Sequence, residues 1–182
     1  ERAGDLTFTE SLADEFGYEV VPTSTYDVAG ERVSSTRIRS VLLEADFGEA
    51  ANLLGRRFTL SGKVLKGKQL GRQIGSPTAN IALKRVKSPL HGVYAVRVSG
   101  AGLVDAPAVA NVGVRPTVND GSLANLEVHL FDFARDIYGE RLKVEFMTKL
   151  RDEKKFDSLD ALKAAIARDQ QSARDWHAAN PA

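Results

Sequence analysis

The 182-residue chain has no cysteine. Disulfide scaffolds, cysteine zinc sites and thiol nucleophiles are therefore excluded. No apolar run approaches the roughly 20 residues of a membrane span. Acidic residues interrupt residues 1–16, which do not read as a signal peptide. A cytoplasmic protein is the expectation. The longest absence is of negative charge. From Ala50 to Val104 there are ten Lys or Arg and no Asp or Glu, in a chain whose formal net charge is only +1. Such a segment is either an electrostatic footprint for an anionic ligand or a solvated basic face balanced by acids elsewhere.

What is present is ordinary for a globular protein: 43% hydrophobic and 27% charged residues. The length suits one domain, or one domain with a partial neighbour. Residues 7–16, TFTESLADEF, predict a helix with Thr9 as its cap. YEVVP follows as a short buried strand, then a loop through Gly30. SSTRIRSVLLEADF predicts a second helix with Ile38, Val41 and Leu42 on one face, and FGEAANLLG a further turn or two that stops at Gly55. Beyond Gly55 the period changes. RRFTLSGKVLKG, NIALKRV, GVYAVRVSG, APAVANVGV, NLEVHLFDF and RLKVEFMTKL read as six strands without helices between them. Such a run predicts an antiparallel barrel or sandwich. SLDALKAAIARDQQSARDW closes the chain as an amphipathic helix, capped by Asp157 or Ser158, with Leu159, Leu162, Ile166, Ala173 and Trp176 on one side. The compositional shift places a domain boundary near Arg56.

The segment GKQLGRQIGSPTAN, residues 67–80, joins the first two of these strands. Gly67, Gly71 and Gly75 permit close approach and unusual backbone angles. Lys66, Lys68 and Arg72 supply positive charge. Pro77 fixes a turn, and Thr78 and Asn80 then lie two apart on one strand face. Their hydroxyl and amide oxygens suit Mg²⁺ that also carries phosphate. The alternative is a surface loop whose Thr and Asn cap a turn. In LEVHLFDF, Leu126, Val128 and Leu130 fall on one face, and Glu127, His129 and Phe131 on the other. A mid-strand glutamate is unusual. SSTRIR offers Ser34, Ser35, Thr36 and Arg39 at a helix start, which is either a phosphate-binding N-terminus or a plain N-cap.

GKQLGRQIGSPTAN resembles the ATP- and magnesium-binding signature of riboflavin kinases. GVYAV at 92–96, NVGVRPT at 111–117, LEVHLFDF at 126–133 and LRDEKKFDSLDALKAAI at 150–166 follow in the family's order. The resemblance spans about residues 56–176. It implies a mainly β protein: a six-stranded antiparallel Greek-key barrel with a C-terminal helix. It also implies transfer of the ATP γ-phosphate to the terminal ribityl hydroxyl of riboflavin, giving FMN and ADP. Thr78 and Asn80 are then the Mg²⁺ ligands. Gly67, Lys68 and Gly75 line the phosphates, within an ATP-binding segment that also includes Lys66, Gly71 and Pro77. Glu127 becomes the general base, with His129 its rival on the same face. Arg151 and Phe156 become flavin-side residues, and Asn111, Arg115 and Thr117 part of the active-site wall.

SSTRIR is similar to the closing motif of the FMN adenylyltransferase module that precedes the kinase in the bifunctional prokaryotic FAD synthetase. Residues 1–55 are therefore expected to be a partial α/β nucleotidyltransferase fragment and linker, and 56–182 the kinase module. That module needs a glycine- and histidine-bearing phosphate loop. The histidines here are His91, His129 and His177, all in the kinase half, so adenylyltransferase activity is expected to be absent. An exposed remnant predicts a floppy or self-associating N-terminus. Two other classes remain open. An OB-type nucleic-acid module needs aromatics among the cations, and Ala50 to Val104 holds only Phe58 and Tyr94. A flavin binder without turnover needs no base at Glu127.

Overall fold

The computed structural model describes residues 6–21, 24–67, 71, 75–83, 88–116 and 122–181, the side chains at 14, 114–116, 122 and 123 excepted. Contacts divide the chain into two compact units, Glu1–Ser34 and Ser35–Ala182.

In the first unit, α1 spans Leu6–Phe16. Thr9 therefore lies inside the helix rather than capping it, and its carbonyl accepts from the Tyr18 hydroxyl. Strands β1 (Asp27–Val28) and β2 (Glu31–Arg32) pair antiparallel. The two residues between them, Ala29 and Gly30, both have positive φ, 54° and 78°. That is the turn whose twist matches a tight hairpin. The buried strand expected at YEVVP is not formed. Residues 18–21 have no strand partner among the described residues, and Val21 is 75% exposed. A short apolar run without a sheet edge beside it cannot satisfy its backbone as a strand.

The second unit opens with two helices, α2 (Ser35–Leu43) and α3 (Phe47–Leu54). The Asp46 side chain accepts from the Glu49 backbone N–H at 2.9 Å and starts α3. Gly55, at φ 65°, ends it as expected. Six strands follow: β3 (Thr59–Leu65), β4 (Ala79–Ala82), β5 (Gly92–Gly100), β6 (Leu103–Pro116), β7 (Ser122–Leu130) and β8 (Arg141–Arg151). They close into an antiparallel barrel in the order β3-β4-β7-β6-β5-β8. Strands β5, β6 and β7 run as a meander and β8 returns beside β5, which is a Greek key. The expected barrel is therefore what the chain forms.

Alternation decides what faces inward. Leu60, Val64, Ile81, Tyr94, Val96, Leu126, Val128, Val144 and Phe146 fill the interior. The helices belong to the same core. Phe47 of α3 stacks on Phe146 at 5.9 Å and meets Tyr94 edge-on at 5.8 Å. Burial pushes the Tyr94 hydroxyl up to about 12, and it donates to the His91 carbonyl at 2.8 Å.

The C-terminal helix α4 spans Leu159–Ala179, and Ser158 is its cap, accepting from the Ala161 N–H. It covers part of the outer barrel face. Val93, Ala95, Val109 and Phe131 pack there against Ala173 and Trp176. This explains why the strand GVYAVRV is buried without a break: one face looks into the barrel and the other at α4. Leu159, expected on the buried stripe, is 57% exposed because it stands in the first turn, ahead of the packed segment.

Candidate active site

The polar residues singled out in the sequence gather on the outer barrel face, between the glycine-rich segment and α4. The register does the placing. Asn80 on β4 and Asn111 on β6 stand directly opposite Glu127 on β7, one on each side. All three point away from the apolar interior, because their neighbours Ile81, Val112, Leu126 and Val128 point into it. The Asn125 amide donates to Oε1 of Glu127 at 2.8 Å. His129 lies two residues on, its Nδ1 2.8 Å from the Pro77 carbonyl. A carbonyl can only accept, so Nδ1 carries the proton of this bond. His129 thus ties β7 to the turn that presents Thr78.

Asn111, Glu127 and His129 line a cleft of about 310 Å³, whereas Asn80 and Asn125 are not in its lining. Gly71, Ser76 and Thr78 form one wall, Asn111, Glu127 and His129 the floor, and Arg151, Phe156, Leu162 and Ile166 the far wall. A second cleft of about 310 Å³ runs between Pro77, Thr78 and Ala79 and the segment containing Phe133, Ile137 and Tyr138. Thr78 lines both.

Each described glycine of the loop has its own reason to be glycine. A Cβ on Gly67 would sit 2.5 Å from the Asn80 amide nitrogen. A Cβ on Gly71 would collide with the Ser76 carbonyl oxygen and reach within 3.4 Å of the Thr78 hydroxyl. Gly75 has φ +76°, a conformation side chains resist. The Ser76 N–H donates to the Gly71 carbonyl at 2.8 Å. The Ser76 hydroxyl accepts from the Gln170 amide of α4, also at 2.8 Å. Lys66 is exposed just past β3 and lines neither cleft. Lys68, Arg72 and Thr117 lie outside the described residues, as does the Arg115 side chain, whose backbone pairs with Leu123.

Arg151 reaches the cleft wall with its charge engaged. Its Nε and Nη2 donate to the two carboxylate oxygens of buried Asp169, both at 2.7 Å, and Nη1 donates to the Asp152 carbonyl. The hydrogen bonds to Asp169 hold the guanidinium pKa even higher than usual. The Phe156 ring lies 5.7 Å from its central carbon. This two-point pair fixes β8 to α4.

Sequence reasoning missed Asp169, Gln170 and Asn125. The signals were there. Asp169 interrupts the apolar stripe of α4 between Ala165 and Ala173. Asn125 precedes Glu127 by two on the same strand face. The Ser35, Thr36 and Arg39 group opens α2 but lines neither cleft, and neither does Ser34, which ends the first unit.

Among the described residues, no cluster of three His, Asp or Glu could hold a metal. A divalent ion at Thr78 and Asn80 would therefore take its negative oxygens from a ligand. The two side chains fit that use. Both offer neutral oxygens, Thr78 as part of the lining of both clefts and Asn80 beside the Gly67 backbone but in neither lining.

The family model for riboflavin kinase matches residues 54–177. A bifunctional riboflavin kinase/FMN adenylyltransferase of Pseudomonas fluorescens is 50% identical over 174 residues, covering 96% of this chain and 56% of the relative. The protein of the same name from Escherichia coli K12 is 46% identical over 175 residues, with the same coverage. The chain thus spans about half the length of the curated relatives it matches. A crystal structure named as a macrolide-efflux protein from Streptococcus pneumoniae superposes with a TM-score of 0.72 at 39% identity, covering 92% of this chain and 55% of that one. Among the described residues, no helix is long and apolar enough to cross a membrane. The chain belongs to the riboflavin kinase family.

Proposed function

We propose that this chain transfers the γ-phosphate of ATP to the terminal ribityl hydroxyl of riboflavin, with Glu127 as the general base. The observation that carries the reading is the position of Thr78 at the junction of two clefts, one of which contains Glu127. A phosphoryl donor and an alcohol acceptor must meet at such a junction, and the protein's work there is positioning and charge neutralisation. The flavin occupies the cleft floored by Asn111 and Glu127, against Phe156 and the Arg151–Asp169 pair. The nucleotide lies toward the second cleft, its phosphates along Gly67, Gly71, Gly75 and Pro77; Lys66 and Lys68 belong to the same ATP-binding segment by the family resemblance. Held by Thr78 and Asn80, Mg²⁺ supplies neutralisation of the phosphate oxygens. Glu127 accepts the proton of the attacking hydroxyl while Asn125 fixes its carboxylate. Arg115 is assigned to the flavin side with Asn111 by the family resemblance alone.

Residues 1–55 are, on this reading, the fragment of an adenylyltransferase module and linker, with Ser34, Ser35, Thr36 and Arg39 as its remaining ATP motif, and 56–182 the kinase module. On this reading residues 56–182 make FMN, and FAD is not the expected product of these residues. The substrates are small molecules, the setting is the cytoplasm, and neither nucleic acid nor a membrane is a partner. Exposed Phe8, Phe16, Val21 and Tyr26 in the first unit support self-association, which sedimentation over a concentration series tests.

The E127Q variant separates a kinase from a flavin binder. Riboflavin binding, read by fluorescence quenching, should persist, while turnover falls by about 10²–10⁴-fold. Turnover at the wild-type rate would remove Glu127 as the base.

A further inference from the structure

A third cavity, of about 450 Å³, lies away from the two clefts and shares no residue with them. Its notable group is Arg97 on β5, which is only 8% exposed yet lines the cavity. Its Nη2 donates to the Asn180 carbonyl at 2.6 Å and its Nη1 to the Asp105 carbonyl at 3.5 Å. Among the described residues no carboxylate lies within salt-bridge distance of it. The two acids that line the cavity have other partners, although Glu145 stands opposite Arg97 on β8 and its partner Arg57 lines the cavity too. Glu145 pairs with Arg57 at 3.3 Å and with Lys143 at 4.0 Å. The Asp105 carboxylate accepts from the Ser99 hydroxyl. A buried guanidinium whose partners are all neutral carbonyls is costly to keep. It retains donors that a planar carboxylate fits in two-point geometry.

The rest of the lining is Arg57, Met147, Trp176 and Pro181, with the Met147 sulfur accepting from Arg57 Nη1 at 3.4 Å. A lining that contains an indole and a thioether favours a flat aromatic body. The nearby acids disfavour a ligand with several negative charges. We infer that this cavity is a second ligand site, for a small aromatic compound bearing a single carboxylate. It is independent of the kinase reading, because none of its residues is assigned to phosphoryl transfer.

The chain provides its own reporters, since Trp176 is its one tryptophan and Met147 its one methionine. The test is a titration of the wild-type protein with benzoate at constant ionic strength. The readouts are the Trp176 indole N–H and Met147 methyl NMR signals. Both should shift saturably by roughly 20 mM, the range expected for a fragment of this size. Benzamide, of the same shape without the charge, should shift neither. The R97Q variant should weaken benzoate about tenfold or more, the loss of a charge-assisted two-point contact. If R97Q does not fold, the benzamide comparison on the wild type answers the same question. Equal response to benzamide, no saturable response to benzoate, or shifts confined to other residues would each overturn the inference.

Discussion

The amide nitrogen of Asn125 lies 2.8 Å from Oε1 of Glu127, two residues back on the same face of β7. A donor so placed fixes which way the carboxylate points without itself facing the neighbouring strand's Asn80 or Asn111. Replacing it with Ala removes one hydrogen bond to a charged group, worth about 1.5–3 kcal/mol. N125A is expected to lower kcat by about ten- to hundredfold while the KM for riboflavin stays near the wild-type value. Steady-state kinetics check this; a raised KM at full kcat would make Asn125 a substrate-binding residue instead.

Asn80 stands opposite Glu127, with Gly67 packed on its carboxamide. Loss of an outer-shell partner alone typically costs a metal site about tenfold or more in affinity. N80A, which removes a proposed ligand, is therefore expected to raise the Mg²⁺ concentration for half-maximal rate by at least that factor. A magnesium titration at saturating ATP reads the effect. An unchanged midpoint would remove Asn80 from the ligand set.

The α3 helix is part of the barrel's core, and Phe47 is its anchor, 8% exposed between Phe146 and Tyr94. F47A should destabilise the chain by about 3–5 kcal/mol. Leu43 of α2 is 62% exposed, and L43A should change stability by less than about 0.5 kcal/mol. Urea unfolding of the two variants distinguishes a helix pair packed into the barrel from one merely tethered to it.

His177 of α4 contacts the barrel through Nε2 and the Ala108 carbonyl, 3.2 Å apart, and its Nδ1 is buried without a partner among the described residues. Phe131 and Trp176 meet its ring edge-on, and Arg97 is the nearby charge. Burial holds its pKa below the ordinary 6.5, and Arg97 adds to the shift. The unfolded chain therefore takes up the proton first. Stability is complete above about pH 6.5 and declines as pH falls toward the lowered folded-state value. Relative to H177Q, the wild type should lose stability between pH 7.5 and pH 5. A constant difference across that range would contradict this.

Much of the fold was legible because alternation and helical period report burial directly. The six strands, the Gly55 stop and the Ser158 cap follow from local chemistry. Thr78 and Asn80 read in the sequence as two residues of one strand, whereas Thr78 stands just ahead of β4 and Asn80 within it. What was not legible depends on partners distant in sequence. YEVVP carries a strand-like composition, but its described residues 18–21 have no strand partner among the described residues. The packing of Phe47 on Phe146 joins residues whose proximity only barrel closure creates. Arg151 reads as a flavin-side residue by resemblance, yet its main partner is Asp169, eighteen residues on and across a helix–sheet boundary. The convergence of Asn80, Glu127 and Asn111 required the register of β4, β7 and β6, which no local pattern encodes.

The most direct measurement is a single incubation of the chain with riboflavin, ATP and Mg²⁺, with the flavins resolved by chromatography. The account predicts FMN, with no FAD. Riboflavin that is bound yet never converted would contradict the kinase assignment. FAD formed in the absence of contaminating enzyme would contradict the reading of the N-terminal segment.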